Sequence, residues 1–273
     1  MKRFLAIILA GLMLLSLAAC GEKEDEATWK LGAVQTEGNF EHYFEHALGD
    51  HGNGDAGFDF VMYDNLNSAL MSLNRKDINA LSVDKVTGDY IAAHNSDYIS
   101  IEETHYSNIQ NYSMMTMESK TEVYNLLNNA IKDMKADGTL DSLIVNELKA
   151  YIESDPEEKD LPHFDGAQTI KIGVTGDVPP MDYVAANGKA AGFNIALLTE
   201  IANRATVNFE LVQIDSAARA TALSTGKVDA VFWTKGFVCS NCDKSLAEEI
   251  DGTVITESYF SSPAALVMLK SDK

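Results

Sequence analysis

A two-lobed α/β protein with a ligand cleft between its lobes is predicted by two observations. Residues 68–83 (SALMSLNRKDINALSV) and 218–233 (ARATALSTGKVDAVFW) repeat one pattern: a short amphipathic helix, a polar basic turn, then a buried strand of small and aliphatic residues. Each copy follows an apolar strand, at residues 58–63 and 209–214, and further upstream a Gly-bearing strand that opens into a polar loop, at residues 30–35 and 171–175. Alternating strand and helix patterns argue for largely parallel sheets. Such sheets bind ligands at the carboxyl ends of their strands, so two facing lobes imply a shared cleft.

Taken from the start, residues 1–19 carry Lys2 and Arg3, an apolar run over 4–17 and the small residues Ala18 and Ala19, ending before Cys20. A basic n-region, a short apolar run and small residues before a cut describe a secretory signal. The Cys after the small residues resembles the bacterial lipobox, which implies lipidation of Cys20 at the mature terminus. The alternatives are a plain signal peptide and a retained span, for which the run is short. Residues 20–27 then read as a solvated, lipid-anchored tether.

Removing Lys2 and Arg3 leaves 19 basic residues (21 − 2) against 41 acidic ones, a net charge of −22. Nucleic acids and anionic membrane surfaces need basic patches, so neither is expected as a partner. A hydrophobic content of 46% suffices for one bilobal core or two small domains. The lipid alone is expected to hold the chain to the outer face of the cell membrane. Of three cysteines, Cys239 and Cys242 remain after lipidation. Outside the cytoplasm an even remainder favours a disulfide. Two free thiols, a redox pair or a metal site stay open, although two ligands without a nearby His cannot close a tetrahedral site. No cofactor and no metal are expected.

Further along, a strand is read at residues 31–35, a helix at 40–48, a Gly/Asp/His-rich loop at 49–57 and a strand at 58–63. Asp64 and Asn65 can cap a helix over 66–73. The strand 78–83 ends at Asp84, and a helix follows to about Asn95. Residues 111–117 alternate as a strand, and 118–134 form an amphipathic helix stopped near Gly138. Another helix covers 140–152. Residues 153–168 (ESDPEEKDLPHFDGAQ), with two Pro, a charge run and no periodicity, are the linker between segments 28–152 and 169–273. The second segment continues with a strand at 169–175, a turn at 177–180, a helix at 192–204, and the repeated unit to Trp233. The cysteine loop, a helix at 243–250 and a strand at 264–269 complete it.

The motif Thr175-Gly176-Asp177-Val178-Pro179-Pro180-Met181-Asp182-Tyr183, followed by Asn187-Gly188-Lys189 and Gly192-Phe193-Asn194, resembles the opening of the amino-acid-type extracellular solute-binding proteins, family 3 of the bacterial ABC importers. Residues 223–231 (LSTGKVDAV) and 257–263 (ESYFSSP) match later landmarks of that family. Residues 128–131 (NNAI) and 135–140 (KADGTL) resemble its closing signature. The closing signature precedes the opening one. Read from 169 to 273 and then from 28 to 152, the chain spells one complete member, so the resemblance implies a circularly permuted type II periplasmic-binding-protein-like (Venus flytrap) fold. A truncated tandem is the alternative. In family terms, 169–273 is then the first-lobe segment, and 28–152 the second-lobe segment plus the closing helices.

The resemblance implies a binding protein, not an enzyme, that captures an amino acid or related small zwitterion for an ABC permease and works as a monomer. It assigns to Asp84 the receipt of the ligand ammonium through a charge-assisted hydrogen bond; capping of the following helix is the other reading. The loop after each first strand adds Gly38 and Asn39 on one side, and Asp177 and Met181 on the other. Trp233, Thr234 and Lys235 end the third strand, with Trp233 either an apolar wall or core. The family's Arg clamp for the α-carboxylate is absent from residues 234–242. Lys235, Arg219 or Lys244 can substitute, although lysine is a point charge and not a fork; a surface ion pair is the other reading for Arg219. The lost clamp favours the rival function, a ligand-sensing or degenerate module without transport. A dehydratase-like enzyme on the same fold is the remote third. His42 and His46, spaced i,i+4, lack a third metal ligand.

Overall fold

Strand β1 (Trp29–Val34) begins the fold in this computed structural model, which describes residues 29–34, 58–102, 109–154, 158–184, 189–235 and 250–270. It pairs in parallel with β2 (Phe58–Tyr63) on one side and β3 (Ala80–Asp84) on the other. Helix α1 (Leu66–Asn74) connects β2 to β3, with Asn65 as its N-cap accepting from the Ser68 N–H. Leu66, Ala69 and Leu73 recur on one face and are buried against Leu81 and Val267. Helix α2 (Lys85–His94) follows β3 directly, and β4 (Tyr98–Glu102) closes this lobe, here called lobe N.

The chain then crosses. Strand β5 (Ile109–Met117) belongs to the other sheet, that of lobe C. Helices α3 (Thr121–Asp137) and α4 (Thr139–Leu143) and a π-helical turn (Ile144–Lys149) pack on lobe C, although they precede the linker. Gly138 ends α3 at φ 80°, a left-handed conformation open to glycine. The second segment supplies β6 (Thr169–Val174), a small sheet of β7 (Asp177–Val178), β8 (Asp182–Val184) and β9 (Ala190–Ala191), and helix α5 (Phe193–Ala205). Strand β10 (Asn208–Gln213), a 3-10 turn (Ser216–Ala218), helix α6 (Arg219–Ser224), β11 (Ala230–Lys235) and β12 (Thr253–Ile255) follow. Arg204 on α5 bonds Asp137, Glu200 and Thr139, tying that helix to the corner between α3 and α4.

Strand β13 (Phe260–Leu269) returns to lobe N. Its residues Phe260–Pro263 pair with β5, whereas Ala264 to Leu269 pair with β3 and β4. Pro263 has no N–H to give a ladder and stands where the strand leaves one sheet for the other. Both lobes share one order. Lobe N runs β2-β1-β3-β13-β4, and lobe C runs β10-β6-β11-β5-β12. In each, a parallel trio is followed by an antiparallel strand contributed by the other side. The fold is therefore a mixed α/β, two-lobed, type II periplasmic-binding-protein-like architecture, with β5 and β13 as paired crossing strands.

Several expectations shift. Strands β4 and β12 were not foreseen, and the strand expected at 264–269 begins at Phe260. The helix expected at 118–134 starts at Thr121, because Lys120 is its non-helical N-cap. That expected at 140–152 is divided between α4 and the π-helical turn, which leaves Leu148 buried. The helices expected at 40–48 and 243–250 lie outside the described residues.

Candidate functional site

Asp84 ends β3 beside Ala264, the first residue of β13 to pair in lobe N. The carboxylate caps α2, accepting from the Thr87 N–H at 3.1 Å and the Thr87 hydroxyl at 3.2 Å. It also shares a hydrogen bond with the Tyr112 hydroxyl, from the crossing strand β5. Burial pushes its carboxyl above the usual 3.8, against the pull of these hydrogen bonds. The capping role is thus present, and the same group faces the junction of the lobes.

Tyr112 pairs with Thr234 on β11 and with Phe260 on β13, which fixes it where the two crossing strands meet. Burial, with Asp84 beside it, drives its phenol well above the ordinary range. Tyr259 lies next to it, ring centroids 6.3 Å apart, and donates to the Asn194 side-chain oxygen at 3.0 Å. Its phenol too is raised, first by burial and then by Asp182.

Lobe C contributes two carboxylates and a guanidinium. Asp182 is buried and accepts from the Thr175 N–H at 2.8 Å, so it braces the turn after β6. Burial raises its carboxyl, and backbone hydrogen bonds from Thr175 and Gly176, then the Arg219 charge, partly offset this. Asp177 is half-buried and reaches across to lobe N, where Oδ2 accepts from the Leu66 N–H at 3.3 Å. Its carboxyl is also raised by burial, with Leu66, Thr175 and Arg219 pulling it down. Arg219 opens α6 and donates to the Ser216 hydroxyl at 3.3 Å. Its charge pulls down the titration of Asp177, Asp182, Tyr112 and Tyr259, which places it near all four.

Of the residues expected at the site, the structure brings together Asp84, Asp177 and Arg219. Met181 is 1% exposed and belongs to the main apolar cluster with Phe193 and Tyr259, so it is core and not cleft. Trp233 is likewise core. On β11, Ala230 and Phe232 face one cluster and Val231 and Trp233 the other, where Trp233 packs with Ile214 and Leu223. Strand alternation decides this, and the sequence did not state which face was which. Thr234 and Lys235 finish β11 with backbones paired to Tyr112 and Asn111. Gly38, Asn39, Cys20, Cys239, Cys242, Lys244, His42 and His46 lie outside the described residues. Tyr112, Tyr259, Asp182 and Asn194 were not singled out in the sequence. Two tyrosines almost 150 positions apart become neighbours only through the β5–β13 pairing.

No group of three metal-ligating side chains occurs among the described residues, and none of their helices is long and apolar enough to cross a membrane. A site built from carboxylates, phenols and one guanidinium, drawn from both lobes, can bind a small polar molecule between them.

Residues 170–235 match the model of the bacterial extracellular solute-binding proteins, family 3. The family 3 segment spans β6 to β11, and so includes Asp177, Asp182, Asn194 and Arg219. No curated protein matches the chain. Among solved structures, the ligand-binding component of an ABC-type import system from Staphylococcus aureus, with zinc bound, is 11% identical with a TM-score of 0.46; the alignment covers 88% of this chain and 65% of that one. The aliphatic sulphonate binding protein SsuA from Escherichia coli is 10% identical with a TM-score of 0.40, covering 88% and 64%. CbnR, a LysR family transcriptional regulator, is 7% identical with a TM-score of 0.44, covering 90% and 65%. The chain thus spans just under two thirds of the length of these structures.

Proposed function

We propose that this chain is an extracytoplasmic solute-binding protein of an ABC importer, which encloses a small ammonium-bearing solute between lobes N and C. One observation carries the reading: Asp84, Tyr112, Tyr259, Asp177 and Arg219 come from both lobes, with Tyr112 on β5 and Tyr259 just ahead of β13. Hinged closure of two lobes around a ligand is the motion such an architecture permits. The family match of residues 170–235 supports the importer role. Amino acids and related small zwitterions are the solute class that the resemblance implies. In this reading the ammonium is received by Asp84, a half-buried carboxylate whose charged form a cation restores.

Cys20 carries the lipid that tethers the protein to the outer face of the membrane, the protein acts as a monomer, and an ABC permease takes the solute from it. The family's order is circularly permuted, a reading supported by the position of α3 and α4 on lobe C, ahead of the segment with which they pack. Gly38, Asn39, Thr234 and Lys235 remain candidates for the rim of the cleft.

A thermal-shift screen against amino acids, their amine derivatives, short peptides and organic acids tests the proposal. A true ligand stabilises the native state by about 2.7 kcal/mol at a hundredfold excess over its dissociation constant. If no member of the panel raises the melting temperature, the reading is lost. The second reading, sensing without transport, is favoured by the absence of Arg from residues 234–242. Binding without stimulation of permease ATPase activity in proteoliposomes would select it.

A further inference from the structure

Asp177 occupies an unusual place for a side chain of a binding cleft. It sits on β7 in lobe C, yet its carboxylate oxygen accepts from the first N–H of α1 in lobe N, 111 positions away in sequence. The cap residue Asn65 already serves the Ser68 N–H of the same helix end. The contact therefore joins the two lobes across their facing edges through a fixed negative charge and the positive end of a helix. Arg219 is committed on the same side, since its charge acts on both Asp177 and Asp182. In addition, residues 234–242 hold no arginine that would take up a second carboxylate.

We infer that Asp177 is the specificity-determining residue of the cleft: it provides in cis the carboxylate that closes lobe C onto α1, so the protein selects amines that lack a carboxylate over the corresponding amino acids. This rests on the binding reading given above and narrows it. A solute with its own carboxylate must displace Asp177 from the Leu66 N–H or be held without that helix end. If displaced, Asp177 keeps a half-buried charge with one hydrogen bond fewer, and burial already disfavours that charge. A solute with an ammonium and no carboxylate meets neither difficulty, because the interlobe contact stays in place while Asp84 receives the cation. The selection is a difference of affinities produced by a repulsive element, the route by which closely related ligands are commonly told apart.

The test uses matched pairs that differ by one carboxylate: lysine and cadaverine, histidine and histamine, tyrosine and tyramine. Each is titrated calorimetrically into the full chain, into Asp177→Asn and into Asp177→Ala. In the wild type the amine of a binding pair is expected to bind about tenfold or more tightly than its amino acid. Asp177→Ala should shrink or reverse that ratio, and Asp177→Asn, which keeps the volume and loses the charge, should fall between. Small-angle scattering without ligand supplies a second readout, independent of solute choice. The radius of gyration of Asp177→Ala should exceed that of the wild type, because the contact holding the lobes together is gone. An amino acid that outbinds its amine in the wild type, with a ratio unmoved by Asp177→Ala, overturns the inference and leaves the binding reading intact. Absence of heat with every pair, with no shift in the broader solute screen, overturns both.

Discussion

Replacing Asp84 by Asn and by Ala separates the cap that its carboxylate forms from the ammonium binding proposed for it. As a cap it accepts from the Thr87 N–H at 3.1 Å and from the Thr87 hydroxyl at 3.2 Å. Asn retains an oxygen at that position, and Asn and Asp cap helices about equally well, so Asp84→Asn should leave stability within about 0.5 kcal/mol of the wild type. The charge that burial disfavours is also removed, which acts in the stabilising direction. Asp84→Ala loses the cap and should cost about 1 kcal/mol. Binding separates them differently. Both variants lose a charge-assisted hydrogen bond to the solute ammonium, about 1.5–3 kcal/mol, or about tenfold to a hundredfold in affinity. Denaturant melts give the first quantity and calorimetric titration of the best amine solute the second. If Asp84→Asn binds within about twofold of the wild type, Asp84 is a helix cap and nothing more, and the ammonium assignment fails.

Other perturbations follow from the same geometry. Because the native Asp84 carboxyl titrates above 3.8, its contribution to stability falls as pH rises from 3.8 through the native-state value; a bound cation reverses this, so affinity should climb over that window with release of protons, seen as a buffer-dependent binding enthalpy that Asp84→Asn abolishes. Hydrogen bonds from Tyr112 and Thr87 to the same carboxylate pull its titration down without changing that sign. Gly192 has φ 104°, and an added Cβ would meet the Pro180 and Met181 carbonyl oxygens at 2.8 Å, so Gly192→Ala should destabilise by about 1–3 kcal/mol or more in thermal melts. Tyr259→Phe leaves the Asn194 oxygen without its donor in a buried setting and should cost about 1–3 kcal/mol, with binding weakened if the melt is not.

Much of the fold was legible because it repeats. The buried strands β3 and β11 follow amphipathic helices in both halves, and apolar strand runs at 58–63 and 209–214 need no long-range information to be seen. Strands β4 (YISIE) and β12 (TVI) were not legible: one is short, at a sheet edge and half-exposed, and the other is three residues long. Nor did local pattern reveal that β5 and β13 leave their own segments. That exchange follows from pairing partners distant in sequence, not from any property of either strand alone.

The site was legible in the same proportion. Asp84, Asp177 and Arg219 follow from one rule, that polar residues just past the strand ends face the cleft. Trp233 and Met181 fail the same rule because a side chain's face depends on register. In β11 the step from Phe232 to Trp233 turns the side chain from one sheet face to the other. Tyr112 and Tyr259 carry no local mark of function, since one sits in a strand that reads as core and the other lies just ahead of β13. Their meeting with Asp84 is made by the β5–β13 ladder and by Ala264 pairing with Asp84 on the far side of Pro263.

The proposed function depends on segments 28–152 and 169–273 being interleaved through those two strands. The direct test is to introduce a site-specific protease sequence into the 153–168 linker, cut the folded protein completely, and pass it over a size-exclusion column under native conditions. Strand β5 then remains held by β11, β12 and β13, and β13 by β3 and β4, so the two fragments should elute together and part only in denaturant. Fragments that separate on cutting, each still folded, would mean two independent domains and no shared cleft.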